Sequence, residues 1–168
     1  MNKRITKHQW AMDIALISSE RSTCCRRKVG CVLLNERGHV LSTGYNGVAA
    51  GLPHCNEVIK LGSGEDVFIN KCQGADSQSG TNLDGCQAIH AEQNALLQCS
   101  DVYKIHTCYV TTSPCITCVK LLLNTSCKEI AFIEEYPQKE AEKLWISAGR
   151  NWSRRYKFDL GVPVVTMD

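Results

Sequence analysis

Two short runs carry residues whose types and spacing could do chemistry: His90-Ala91-Glu92 and Pro114-Cys115-Ile116-Thr117-Cys118. Cysteines three positions apart on a helical turn share one face, so Cys115 and Cys118 suit a single ion. A helix start and a metal both favour their thiolate forms. Two sulfurs leave two positions of a tetrahedral zinc, and a catalytic ion keeps one of these for water. His90 fills the other if two helix starts converge across adjacent strands. Glu92, two residues beyond the histidine, is offset to hang beside the ion without ligating it, which is where a proton shuttle for water belongs. A Cys-x-x-Cys alone also suits a structural zinc or a redox pair. A lone histidine at a helix start also serves as a cap or a packed core residue. The His-x-Glu offset, the proline before Cys115 and a strand between the two runs together favour catalysis.

The elements that must position these side chains are legible as hydrophobic patterns. Residues 8–20 read as an amphipathic helix with Trp10, Ile14 and Ile17 on one face. Val29 to Leu34 and Val40 to Tyr45 are β-branched, apolar runs joined by Asn35-Glu36-Arg37-Gly38, a hairpin signal. From Gly47 to about Gly85 periodicity dissolves into Gly, Ser, Asp and Asn, and so long a loop must be functional or tied down. Helices are expected over 91–99, from Pro114 to about Asn124 and over 139–147. Strands are expected over 107–112, 130–133 and 162–166. Strands alternating with short helices predict an α/β sandwich, mostly parallel after the opening hairpin.

Composition sets the bounds. The length of 168 residues predicts one domain, 1–168, with an irregular insertion at about 52–86. Hydrophobic residues at 43% and charged residues at 21% exclude a disordered or fibrous chain. A net charge of +2 predicts no extended polyanion-coating surface. No apolar run is long enough to span a membrane. The basic start, Met1 to His8, is not followed by the apolar stretch of a signal peptide, so a cytoplasmic location is expected. The outlier is eleven cysteines, an odd number that argues against a closed disulfide framework and for metal ligation and burial. Cys31, Cys99, Cys108 and Cys127 fall in strand or helix patterns and read as buried thiols. Cys24, Cys55 (after His54), Cys72 and Cys86 lie in or beside the irregular stretch. They are candidates for a second zinc that would keep that stretch ordered.

The pattern H-x-E with P-C-x-x-C is the general signature of zinc nucleobase deaminases, and this chain resembles the deoxycytidylate deaminases of the cytidine deaminase superfamily. The resemblance runs over roughly 8–136 and is carried by Ser22 to Val32, Ser42 to Gly47 followed by Gly51, Ile89 to Leu96, and Tyr109 to Cys115. Ala49 stands where the family often has proline. The resemblance implies a three-layer α/β/α sandwich with a five-stranded mixed sheet. It also implies conversion of dCMP to dUMP and ammonia, supplying dUMP for thymidylate synthesis. In that reading His90, Cys115 and Cys118 hold the catalytic zinc and Glu92 moves protons. Asn46, Ala91 and Ser113 contact the nucleoside, and Tyr136 covers the sugar-phosphate. Arg26, with Arg27 and Lys28 beside it, meets the 5′-phosphate. Asn46 also reads as a plain turn residue, Arg26 as part of a solvated basic turn, and Tyr136 as packing on Pro137. Some relatives carry a second zinc. The resemblance further implies a homohexamer, activated by dCTP with Mg2+ and inhibited by dTTP, in the cytoplasm (of the host, for a viral protein). The effector site would lie near Gly44, Tyr45, Asn46, Gly47 and Gly51.

The main rival is a deaminase acting on tRNA or single strands, which should show a basic, aromatic groove. Arg150, Trp152, Arg154, Arg155 and Tyr156 form one local basic-aromatic cluster, which reads more readily as a subunit or solvent surface. A free-nucleoside deaminase more typically has cysteine at the position of His90. A riboflavin-pathway deaminase usually carries a reductase domain, and a non-enzymatic relative would have no need of Glu92.

Overall fold

The computed structural model describes residues 4–78, 81–82 and 85–155. Among these residues four α-helices, α1 (Lys7–Ser19), α2 (Ala91–Gln98), α3 (Ile116–Leu123) and α4 (Lys139–Ser147), accompany nine strands. The strands are β1 (Gly30–Leu34), β2 (Val40–Tyr45), β3 (Gly47–Val48), β4 (Val58–Lys60), β5 (Asp66–Phe68), β6 (Ala88–Ile89), β7 (Thr107–Thr112), β8 (Glu129–Glu134) and β9 (Asn151–Arg154). Five of them form the main sheet in the order β2-β1-β7-β8-β9. The β1–β2 hairpin and the β1–β7 pair are antiparallel, whereas β7–β8 and β8–β9 are parallel. This is the expected mixed five-stranded sheet.

Strand periodicity sorts the core into two layers. Cys31, Leu33, Cys108, Val110, Ile130 and Phe132 pack with α2, α3 and α4 on one face. Val32, Leu34, Tyr109 and Ala131 pack under Ala11, Met12 and Ala15 of α1 on the other. With one helix on one face and three on the other, the architecture is the three-layer α/β/α sandwich.

Helix α1 buries a different face from the one its bulky residues suggest. Trp10 is 37% and Ile17 69% exposed, while Ala11, Met12, Ala15 and Ser19 face the sheet. Close approach decides this. A Cβ on Gly30 would collide with the Ala15 carbonyl and lie 2.6 Å from the Ser19 nitrogen, so backbone meets backbone where large side chains have no room. On the opposite face Gly44 does the same for α2: a Cβ there would overlap the Ala91 carbonyl and sit 2.5 Å from the Ala95 nitrogen.

Two further expectations are corrected, and the basic-aromatic cluster finds its partners. The fifth strand of the sheet is Asn151–Arg154, and the segment 162–166 expected to supply it lies outside the described residues. The stretch after Gly47 is not without strands, because β3 pairs with β6, and β4 with β5 as a small exposed hairpin. The 150–155 cluster is engaged with neighbouring parts of the chain, with Arg154 still exposed. Arg150 donates to the carbonyls of Leu122 (3.1 Å), Leu123 (2.8 Å) and Cys127 (2.7 Å), satisfying the end of α3. Trp152 packs on Phe132, and Arg154 and Arg155 meet Glu135 and Glu129. Tyr156 lies outside the described residues. No helix among the described residues is long and apolar enough to cross a membrane.

Candidate active site

The parallel strands β7 and β8 end beside two helix starts, and the chemistry collects there. His90 is the N-cap of α2 and Cys115 the N-cap of α3. The His90 amide donates to Gln93 Oε1 at 2.8 Å, and the Ile116 amide donates to Gln138 Oε1 at 3.1 Å, which fixes both starts. His90 Nδ1 then lies 3.4 Å from the sulfur of Cys115 and 3.4 Å from that of Cys118. A tetrahedral zinc with sulfur at about 2.3 Å and nitrogen at about 2.0 Å sets nitrogen–sulfur edges of about 3.5 Å. The three donors therefore fit that ion. Among the described residues they are also the one set of three or more potential ligand groups gathered closely enough to share a metal.

The electrostatics prepare these groups for a cation. A hydrogen bond from Cys118, and then His90, pull the Cys115 thiol down to about 4. Cys118, bonded to that sulfur and buried, is pushed up. Glu92 is 3% exposed, and burial raises its carboxyl to about 7. A carboxyl in that range exchanges protons readily near neutrality.

His90, Glu92 and Cys115 face a pocket of about 380 Å³. All the residues expected to bind substrate line it: Asn46, Arg26, Ala91, Ser113 and Tyr136. Asn46 is a buried brace as well as a wall. Its Oδ1 accepts from the Ser22 hydroxyl (2.7 Å) and the Val29 amide (2.8 Å), and its Nδ2 donates to the Arg27 carbonyl (2.8 Å). Ser113 accepts the Tyr136 amide on its hydroxyl (2.7 Å) and donates its own amide to Glu134 (2.8 Å). Arg26 reaches across to the insertion, donating to the carbonyls of Ser77 and Gln78 at 3.0 Å each. Arg27 also lines the pocket, its guanidinium 5.9 Å from the Tyr136 ring centroid. Lys28 points elsewhere, paired with Glu20 at 2.6 Å.

The second cysteine group is rearranged relative to expectation. The sulfurs of Cys25 and Cys55 lie 3.3 Å apart, and the Cys72 amide donates to Cys55 Sγ at 3.4 Å. Cys24 pairs with Cys86, which pulls Cys24 down to about 5. His54, counted among the candidate ligands, is exposed to solvent. Cys25 was missed, because in Cys24-Cys25 nothing in the sequence says which sulfur faces which neighbour. Cys24, Cys25 and Cys86 also line the substrate pocket. Of the glycines expected near an effector, Gly44 is filled by α2 and Gly47 by Thr23, while Gly51 (φ 87°) has open space around it.

Residues 5–134 match the family model described as the cytidine and deoxycytidylate deaminase zinc-binding region. The chain belongs to that family. A deoxycytidylate deaminase of Schizosaccharomyces pombe is 38% identical over 128 residues, which are 74% of this chain and 36% of that protein. One from Mycobacterium phage D29 is 35% identical over 128 residues, 76% of this chain and 94% of that one. The apo crystal structure of dCMP deaminase from cyanophage S-TIM5 shares the fold, with a TM-score of 0.64 at 24% identity over 88% of this chain and 96% of that one. The chain spans only 36% and 41% of the lengths of the two yeast relatives it matches.

Proposed function

We propose that this chain is a zinc-dependent hydrolase that converts dCMP and water to dUMP and ammonia. The observation that carries this reading is the triangle of His90 Nδ1 with the two sulfurs, at 3.4 Å each, with buried Glu92 in the same pocket. Zinc held by His90, Cys115 and Cys118 would supply the Lewis acid that makes water nucleophilic near neutral pH. Glu92 accepts a proton from the attacking water and delivers it to N3 of the cytosine ring. It then passes the second water proton to the amine as the C4–N bond breaks. The Ala91 amide, at the first position of α2, has no helical acceptor and serves the base. The Ser113 carbonyl receives the departing amine, its hydroxyl and amide being already spent. Asn46 holds the 22–29 loop against the sugar. Arg26 and Arg27 bring positive charge to the 5′-phosphate, with Tyr136 over the sugar.

The reading extends to a second zinc among Cys24, Cys25, Cys55, Cys72 and Cys86. The pairing of Cys25 with Cys55 and of Cys24 with Cys86, in a segment of little apolar content, supports it. Cys25 and Cys55, 3.3 Å apart, would be two of its ligands. Two zinc ions per chain are expected by elemental analysis, falling to one in Cys55→Ser with a lower melting temperature. A single ion in the wild type refutes the second site. Family resemblance supports the remaining features: a cytoplasmic homohexamer, activated by dCTP with Mg2+ and inhibited by dTTP.

Ammonia release from dCMP, cytidine, dCTP and a cytosine-containing single strand, each with and without dCTP–Mg2+ or dTTP, tests the assignment. The expected result is turnover of dCMP, raised by dCTP and suppressed by dTTP. Turnover of the strand alone overturns it.

A further inference from the structure

A second cavity, of about 540 Å³, lies between the first turn of α1 and the β1–β2 turn, and the proposed reaction leaves it unused. It sits at the far end of the hairpin from the active site. Val29 and Asn46, which line the substrate pocket, flank one end of the two strands, and the turn 35–39 closes the other. Five residues of strand separate the two by about 17 Å.

Arg4, Lys7, Arg37 and His39 line this cleft together with Trp10. Among the described residues none of the first three forms an ion pair. Glu36, in the same turn, is exposed and is not part of the wall. The cations also stand at the wrong end of a helix. The N-terminus of α1 is the positive end of its dipole, yet its first turn holds no acidic residue and begins with Lys7. Fold stability alone would place a carboxylate there, and a site for an anion accounts for the inversion. Gly38 contributes to the same wall. It has φ 84°, and a Cβ there would come 2.6 Å from Lys7 Cδ, so its absence lets the lysine stem lie across the turn. The indole of Trp10, 37% exposed, offers a stacking face beside the cations.

We propose that this cleft binds a nucleotide, with the phosphates against Arg4, Lys7, Arg37 and the start of α1, and the base against Trp10. Its volume is within the range of small-molecule sites, about 300–1,000 Å³. This proposal does not depend on the chemistry assigned to the substrate pocket.

The test is titration of the zinc-loaded protein, in magnesium-free buffer, with ATP, adenosine and inorganic tripolyphosphate, followed by calorimetry and tryptophan fluorescence. ATP is expected to bind and to change the Trp10 emission, tripolyphosphate to bind more weakly without that change, and adenosine to bind least. Lys7→Gln and Arg37→Gln are expected to weaken ATP at least tenfold while keeping the wild-type melting temperature. Trp10→Leu is expected to abolish the fluorescence response. ATP affinity unchanged in both charge variants overturns the proposal. Equal binding of tripolyphosphate and ATP with no change at Trp10 overturns it in favour of a free polyphosphate. Tighter binding of a dodecamer of thymidylate than of ATP overturns it in favour of a nucleic-acid surface.

Discussion

Glu92→Ala is expected to retain the zinc of the wild type and to release ammonia from dCMP about 10⁴-fold more slowly, at the upper end of what a positioned acid–base group contributes. The size follows from how many steps use one side chain: taking a proton from water, protonating the ring, and protonating the leaving amine. Among the residues lining the pocket Glu92 is the one carboxylate, so no neighbour inherits the work. Glu92→Gln, which keeps shape but carries no exchangeable acid proton, is expected to match the alanine variant. His90→Ala is the contrasting case. It removes one of three donors and should lose metal and turnover together. Elemental analysis beside single-turnover ammonia release separates the two behaviours, and Glu92→Ala with activity within tenfold of wild type would sink the mechanism.

Gly44→Ala is the second large effect, and it acts without touching any chemical group. The added methyl would overlap the Ala91 carbonyl and lie 2.5 Å from the Ala95 nitrogen. Both partners are backbone, so no flexible side chain can yield. Overpacking of this kind costs about 3 kcal/mol. The helix start that must move carries His90 and Glu92, and misplacement of catalytic groups by about 1 Å costs on the order of 10²-fold in rate. Chemical denaturation and kcat/KM measured on the same preparations should show both losses. Gly62→Ala, whose Cβ would meet nothing within 4 Å, should show neither. Wild-type kcat/KM in Gly44→Ala would mean that α2 is not held by this contact.

The site was legible where its information is local. His90, Glu92, Cys115 and Cys118 are fixed by offsets within two helix starts, and an offset survives whatever the rest of the chain does. The central strands were legible because β1 and β7, buried along their whole length, read as an apolar run and a run rich in β-branched residues. The face of α1 was not, because hydrophobic size points to Trp10 and Ile17, whereas the small residues Ala11 and Ala15 make the contact. The edge strand Asn151–Arg154 is polar in sequence and half exposed, so it looked like surface. The β4–β5 hairpin alternates too weakly to be seen, most of its residues being exposed. Choosing Cys24 over Cys25 required knowing which way each side chain turns, and adjacent residues in an irregular segment give no such sign.

The bond from Arg26 to Ser77 and Gln78 makes the pocket a composite of two unlike walls. One wall is the 24–29 loop, the sheet end and the helix starts, where Asn46, Ala91, Glu92 and Ser113 are buried against the core. The other is a surface excursion that contributes Ala75, Ser77 and Cys86 and is fastened to the first by a guanidinium. Such a wall is exchangeable. Grafting a shorter or differently shaped segment in place of 73–85, with Cys86 kept, would redraw the substrate outline while leaving the reacting groups where they stand. In this architecture, what the protein accepts and what it does to it are therefore separately evolvable.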